Sequence, residues 1–467
     1  MNHQRYRIVF NKLRGALVAV AETARACGKA AGQTTGQTTA HTQAKRAFAV
    51  RALSFNLWAA FGLVFAVSAA QAQIVADPNA PTHQQPLVTQ APNGVPLINI
   101  QTPSAAGVSR NTYSQFDVQA PGAILNNSRV SALTQLGGWV GGNVRLGNSS
   151  ARIILNEVNS NNASFLRGHI EVAGERAQVV IANPAGLSCE GCGFINANRV
   201  TLTTGTPLIN GGALEGYRVE GGTVHIGGAG LAAQGTDYTD LIARAVSVNA
   251  GLWAQRLHVL TGPQQVSLDA NGHPVAGAAL SGRDAPAHFA IDVAALGGMY
   301  AHQIVLVGTE AGVGVRNAGS MVAAVGEARI TSAGRLENSG RINTTGAAHI
   351  TSAGLTNSGT LYASGALNVN STDAVLNRGL LASALDLTLT AQGRITNEAN
   401  AILGAGVQLD GSVSEGIGTL RVQGTQLNLH GQSLAGLVQR LSATDIDLTG
   451  SQVRARDLHL DATGVLR

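Results

Sequence analysis

Few residues in this chain have chemical potential beyond packing. Cys189-Glu-Gly-Cys192 is a C-x-x-C pair, and the third cysteine, Cys27, lies far upstream. Such a pair can close a small disulfide ring, remain as two thiols, or supply half of a metal site. A tetrahedral metal site needs two further ligands at matching spacing, and none is adjacent. A thioredoxin-like redox pair needs a helix N-terminus after a strand, which this context does not supply. In Asp457-Leu-His-Leu-Asp461, an extended strand puts Asp457, His459 and Asp461 on one side and Leu458 and Leu460 on the other. Asp445-Ile-Asp447 alternates in the same way. Paired carboxylates could hold a cation or cleave a glycosidic bond. The plainer reading, the solvated outer face of a coil, is the one adopted, because no acid–base partner surrounds them. The three lysines, Lys12, Lys29 and Lys45, all precede residue 73, which removes any Walker or Schiff-base lysine from the rest of the chain. Gly227-Gly-Ala-Gly230 lacks the strand–helix setting of a dinucleotide loop and reads as a turn. The chain is therefore not expected to be an enzyme, and no cofactor or metal is expected.

The elements around these residues are short. Apolar runs such as Val179–Ala182, Val200–Thr203, Thr223–Ile226 and Ile304–Val307 are broken by Gly, Asn, Ser and Thr, the signature of strands and tight turns. With 58 Gly and only 4% aromatic residues, the composition suits thin repeated layers better than one thick core. Asn317-Ala-Gly, Asn338-Ser-Gly, Asn357-Ser-Gly, Asn377-Arg-Gly and Asn397-Glu-Ala recur at intervals of 21, 19, 20 and 20 residues. The string Ile330-Thr-Ser-Ala-Gly334 returns 20 residues later as Ile350–Gly354. A period near 20 built of short strands predicts an all-β fold, a right-handed parallel β-helix with an N-terminal cap in the Pro-richer region 73–140. Asn and Gly are expected at the corners because positive φ costs them least. The 395 residues after Ala72 would make about 20 coils and a rod on the order of 95 Å. The chain ends at Thr463-Gly-Val-Leu-Arg467 in mid-pattern, which reads as a truncated product.

The leader predicts export. Lys45, Arg46 and Arg51 precede the apolar run Ala52–Val67, and Ala70-Gln-Ala72 offers an A-x-A site with cleavage before Gln73. The competing reading is an N-terminal membrane anchor, for which the run is short. Of 31 basic and 26 acidic residues, nine and one lie in residues 1–72, leaving 22 arginines against 25 carboxylates. The basic pI thus belongs to the leader, and no nucleic-acid partner is implied for the remainder. In the exported, oxidising setting the Cys189–Cys192 pair is expected as a structural disulfide.

Three segments resemble the filamentous haemagglutinin family of two-partner-secretion exoproteins, which includes adhesins and contact-dependent growth inhibition effectors. Tyr6–Gly15 with Ala19–Ala26 is similar to the extended signal peptide region, and Ser109–Gly122 with Asn126-Asn127 to the opening of the secretion domain. Ser150–Val158, Leu166–Gly174, Val179–Gly186, Cys189–Asn196 and Arg199–Gly205 follow in the family's order. The resemblance implies a leader over 1–72, a secretion domain over 73–310 and β-helix repeats over 311–467. It implies Sec export, an outer-membrane transporter partner with POTRA domains, and folding of coils outside that biases export without ATP. It further implies residence at the surface of, or release from, a Gram-negative bacterium. The family's N-P-N-L and N-P-N-G turns correspond to Asn143-Val-Arg-Leu146 and Asn183-Pro184-Ala-Gly186. The first lacks its Pro and second Asn, so secretion efficiency rather than fold is the property at stake. The function implied is that of an adhesin, facing a receptor or glycan on a host or neighbouring cell, or that of the delivery part of a contact-dependent toxin.

Overall fold

The computed structural model describes residues 6–11, 16–21 and 74–467. The cleavage residues Ala70, Ala72 and Gln73 lie outside the described residues. Tyr6–Asn11 and Ala16–Ala21 form an antiparallel pair.

Residues 74–467 wind into a parallel β-helix with three faces. The first face begins at Val108–Phe116 and runs through thirteen successive parallel pairings to Asp457–Ala462. The second begins at Ser164–Leu166 and reaches Asp445–Asp447. The third starts at Pro96–Asn99 and ends at Gln452–Arg454. One typical coil consists of Leu367–Ser371, Val375–Asn377 and Leu380–Ser383.

Alternation along each strand sends every second residue inward. Ile330, Ile350, Val369 and Leu389 stack from coil to coil on the first face, Leu336, Leu355, Val375 and Ile395 on the second, and Ile342, Leu361, Leu381 and Leu403 on the third. All are at most 2% exposed, and each contributes roughly 1.5–3 kcal/mol of burial. The repeated Ile-Thr-Ser-Ala-Gly string is this register seen in sequence, since Ile330 lies beside Ile350 and Ser332 beside Ser352.

The recurring asparagines do occupy one corner, but for a different reason from the one expected. None of them has positive φ; among the described residues only Asn196 does so without being glycine. Instead the five side chains form a buried ladder. Asn317, Asn338, Asn357 and Asn377 each donate Nδ2–H to Oδ1 of the next asparagine, at 2.8, 2.7, 2.8 and 2.8 Å. The second N–H of each goes to a third-face carbonyl of the next coil, as from Asn357 to Leu380 at 2.9 Å. Asn397 ends the series on Gln432 O, and the next residue in register is Leu429. The glycines of the same repeat are also not in the left-handed region. A Cβ on Gly340, Gly359 or Gly379 would run into the carbonyl oxygen of the preceding repeat's glycine, so close backbone approach is what demands them.

The rod is shorter than length alone suggested. Fourteen first-face rungs at about 4.8 Å give roughly 62 Å rather than 95 Å. Some of the chain builds the cap instead: Ile74–Ala76 pairs antiparallel with the first rung, and Leu87–Gln90 pairs antiparallel with Pro96–Asn99, covering strand edges at this end. Further residues leave the helix as excursions. Thr206–Asn210, Ala213–Val219, Gln264–Leu268 and Pro274–Ala279 make a four-stranded antiparallel sheet. It packs Leu214, Tyr217, Val219 and Val266 on Leu155, Val180, Ile242 and Leu260 of the helix, so these first-face strands are apolar on both sides. A hairpin, Ala132–Thr134 with Gly138–Val140, lies against Ile124 and Ala173 of the third face.

Asn357→Ala, in mid-ladder, removes three hydrogen bonds, the one accepted from Asn338 and those donated to Asn377 Oδ1 and Leu380 O. It is expected to lower the urea midpoint by an amount corresponding to about 1–3 kcal/mol, whereas Asn370→Ala on the exposed outer face stays within about 0.5 kcal/mol.

Candidate functional site

The turn at Asn143 follows directly from the hairpin. Asn143 caps a single 3-10 turn, Val144–Leu146, and its Oδ1 accepts from Arg145 N at 3.0 Å. Its Nδ2 donates to Ile100 O at 2.9 Å and Asn126 O at 3.0 Å, tying the turn to two stretches of the cap end. Leu146 is fully buried, while Val144, at the position of the missing proline, is 95% exposed. Gly147 at φ 61° closes the turn. The asparagine side chain and the buried leucine hold this turn in the absence of proline.

Asn183 does the same work at a different corner. Its Oδ1 accepts from Ala185 N at 2.9 Å and its Nδ2 donates to Asn162 O and Ser164 Oγ, both at 2.9 Å. Gly186 N returns to Asn183 O at 3.0 Å with φ 116°, and Pro184 O accepts from Arg283 at 3.0 Å. The two turns share no hydrogen-bond partner, so they are two pins in the coil stack and not one pocket. Cys189 and Cys192 are joined across the corner between the second and third faces, with Cα atoms 5.3 Å apart, and both are buried.

Asp457, His459 and Asp461 lie on the last first-face rung, all exposed. Asp457 is 3.1 Å from Arg456, and Asp461 accepts from Ser442 at 3.4 Å. Leu458 and Leu460, on the opposite side of the strand, are exposed as well. Among the described residues, no three His, Cys, Asp or Glu side chains stand close enough to hold a metal.

One charged cluster was not legible in the sequence. Arg199 and Asp240 form a buried ion pair (3.4 Å) on neighbouring first-face rungs, beneath the turn joining Gln264–Leu268 to Pro274–Ala279. Arg199 also donates to His273 Nδ1 at 3.1 Å and to Gly272 O, and its guanidinium lies 4.5 Å over the Tyr238 ring. Burial pushes the Asp240 carboxyl up to about 7, against the pull of Arg199 and Thr201. Burial lowers His258, the next residue in register, to about 4, and His273 is lowered by burial and by Arg199. These groups fasten the excursion to the rod. The available signal was weak: polar residues at outward positions of strands that are otherwise apolar on both sides.

Residues 72–338 match the TPS secretion domain, residues 1–51 the extended signal peptide of the type V secretion system, and residues 341–399 and 404–467 the haemagglutinin repeat. Toxin CdiA of Yersinia pestis is 48% identical over 484 residues, 99% of this chain and 14% of that protein. The tRNA nuclease CdiA-2 of Burkholderia pseudomallei is 44% identical over 340 residues, 72% of this chain and 10% of that protein. This chain therefore spans about a seventh or less of these relatives. The crystal structure of a filamentous hemagglutinin secretion domain aligns with 84% of this chain and 98% of its own at 26% identity, TM-score 0.47.

Two measurements test these assignments. Between pH 4 and 7 the native chain holds the Asp240 proton that the unfolded chain releases, so this group's stabilisation is present below pH 4 and lost as pH rises to about 7. Asp240→Asn should remove that decline, on the order of 1.4 kcal/mol for each unit between the two pKa values, while His258→Asn should remove a loss of opposite sign as pH falls from 6.5 to 4. For the turn, Val144→Pro should leave the unfolding midpoint within about 1 kcal/mol, and Asn143→Ala should cost about 1–3 kcal/mol.

Proposed function

Because this chain belongs to the two-partner secretion exoproteins, the family defined by its TPS secretion domain, we propose that it is the export and stalk-forming part of a contact-dependent inhibition toxin. The extended signal peptide and the secretion domain make it an exported protein, carried by a cognate transporter across the outer membrane to the cell surface or medium. The observation that carries the toxin reading is the similarity to Toxin CdiA, which runs through 99% of this chain. The adhesin reading is the second, favoured by the haemagglutinin repeats over 341–399 and 404–467.

The roles divide along the chain. Residues 1–72 serve as the cleaved leader, ending Ala70-Gln71-Ala72 before Gln73; 73–310 engage the transporter; 311–467 lengthen the rod toward a receptor or glycan on another cell. Asn143, Leu146, Asn183, Pro184 and Gly186 keep the first coils in register for that engagement. Cys189 and Cys192 fasten one corner in the oxidising periplasm. No residue here is assigned to catalysis, and the rod needs no cofactor and no nucleic acid. In the repeats beyond residue 311 the strands of each coil pair only with those of adjacent coils, so coils can be added one at a time as chain emerges. Every added coil buries several apolar side chains that would be exposed again if the chain slid back. That asymmetry gives export a direction without ATP.

Expression with and without the cognate transporter tests the export reading. Release of a product beginning at Gln73 is expected to rise at least tenfold with the transporter, and equal retention in the periplasm in both cases would refute it. Deleting residues 73–467 at the native locus separates the two roles: the toxin reading expects loss of growth inhibition of touching neighbours, the adhesin reading loss of attachment alone.

A further inference from the structure

The third face repeats one short pattern on two neighbouring coils, Gly251-Leu-Trp-Ala254 and Gly298-Met-Tyr-Ala301. Gly251 lies beside Gly298 and Trp253 beside Tyr300. Leu252 and Met299 fill the lumen, so alternation turns the two aromatic rings outward. The rings stack with centroids 6.3 Å apart and planes 18° apart, and they are 41% and 38% exposed. Coil packing does not require them, because Ala232 and Val322 hold the same outward place on the coils either side.

The glycines set how the rings lie. A Cβ on Gly251 would strike Cη2 and Cζ2 of Trp253, and a Cβ on Gly298 would strike Cε2, Cζ and Oη of Tyr300. Gly230, one coil before Gly251, leaves room for Cζ3 of Trp253, which a Cβ there would meet at 3.1 Å. Each ring thus folds back over bare backbone of its own strand, with one side supported and the other toward solvent. Gln255 and His302 follow at the corner, where His302 N donates to Gln255 O at 2.8 Å and Gln255 Nε2 to Gln234 O at 3.1 Å. Polar side chains therefore border an aromatic surface that is already in place before anything binds.

Several kinds of ligand stack on exposed aromatic rings, and this surface suits one of them. A quaternary ammonium needs rings converging on it from several directions, whereas these two are nearly parallel. An apolar side chain of a protein partner anchors by entering a pocket, and two parallel rings make none. Bases of a single strand stack well but bring phosphates that need a basic surface. Residues 73–467 hold 22 arginines against 25 carboxylates. A pyranose ring meets the geometry, with its C–H face on the electron-rich ring face and its hydroxyls toward the polar border.

We propose that Trp253 and Tyr300, with Gln255 and His302 beside them, bind a neutral glycan, one hexopyranose unit stacked on each ring. The site lies within residues 72–338 and becomes available once the coils have folded outside. It rests on the export reading only in that export brings it within reach of such a glycan.

The test is titration of the purified full chain with neutral oligosaccharides of glucose, mannose, galactose and N-acetylglucosamine, read by tryptophan fluorescence and by proton NMR of the sugar. At least one should bind, its C–H resonances shifted upfield by the rings. Trp253→Ala with Tyr300→Ala should weaken that binding roughly tenfold or more at an unchanged thermal midpoint. Trp139→Ala, at an exposed tryptophan of the cap-end hairpin, should leave it unaltered. If the double variant does not fold, loss of the upfield shifts in Trp253→Leu decides in its place. A neutral lipopolysaccharide O-chain and a neutral host-type oligosaccharide, titrated separately, show which surface supplies the ligand. No neutral sugar bound, equal affinity in the double variant, or binding of sialylated or sulfated glycans alone overturns the site and leaves the export reading standing. Binding by a chain that its transporter does not release overturns the export reading and leaves the site.

Discussion

Parallel coils stacked at the hydrogen-bonding spacing force each side chain onto its counterpart one coil away, about 4.8 Å distant. Whatever occupies an inward position must therefore satisfy itself against a copy of its own environment. Leu, Ile and Val do this by contact. An amide does it only if its donor meets the next amide's acceptor, as the asparagines from Asn317 to Asn397 show. Glycine enters where two backbones approach too closely for any Cβ, as at Gly340 and Gly359. Strand lengths, corner identities and the 20-residue period all descend from that single register.

The same constraint explains what could be read from sequence. The Asn-x-Gly interval and the doubled Ile-Thr-Ser-Ala-Gly string are direct images of the register, so fold class and repeat were legible. The physical cause was not, because φ > 0 and a stacked amide ladder select the same residue; only coordinates separate them. Coil number was overestimated because an excursion strand such as Ala213–Val219 has the same apolar composition as a coil strand. The Arg199–Asp240–His273 cluster escaped because its members come from strands and a turn between 33 and 74 residues apart. The motif turns were visible as motifs, yet their roles as pins between Ile100, Asn126 and Asn143, and between Asn162, Ser164 and Asn183, depend on pairings that sequence does not display.

The two ends of the described rod use the same coil in different ways. Near the cap, the helix carries excursions, buried ion pairs such as Arg244–Glu310 at 2.7 Å, and individual asparagine pins. From residue 317 to 397 the coils become nearly uniform and rely on the ladder. Recognition by a specific partner needs distinctive surface, and extension needs only repetition. A fold that grows by adding coils can give its first coils to the former and the rest to the latter without changing the lumen.

The ladder's first member has a cost its others do not share. Asn317 Oδ1 is buried without a donor, since the preceding coil offers Val293 at that place. An orphaned acceptor costs about 1–3 kcal/mol, and it is incurred once whether the ladder has two members or twenty. Each further asparagine brings its own satisfied acceptor, so the penalty per coil shrinks as the run lengthens. Isolated asparagines at this corner are thus the expensive arrangement and long unbroken runs the cheap one. Duplication of a whole 20-residue unit inside the run adds no new end, which makes rod length a quantity that genetic repeat expansion can change almost without thermodynamic resistance.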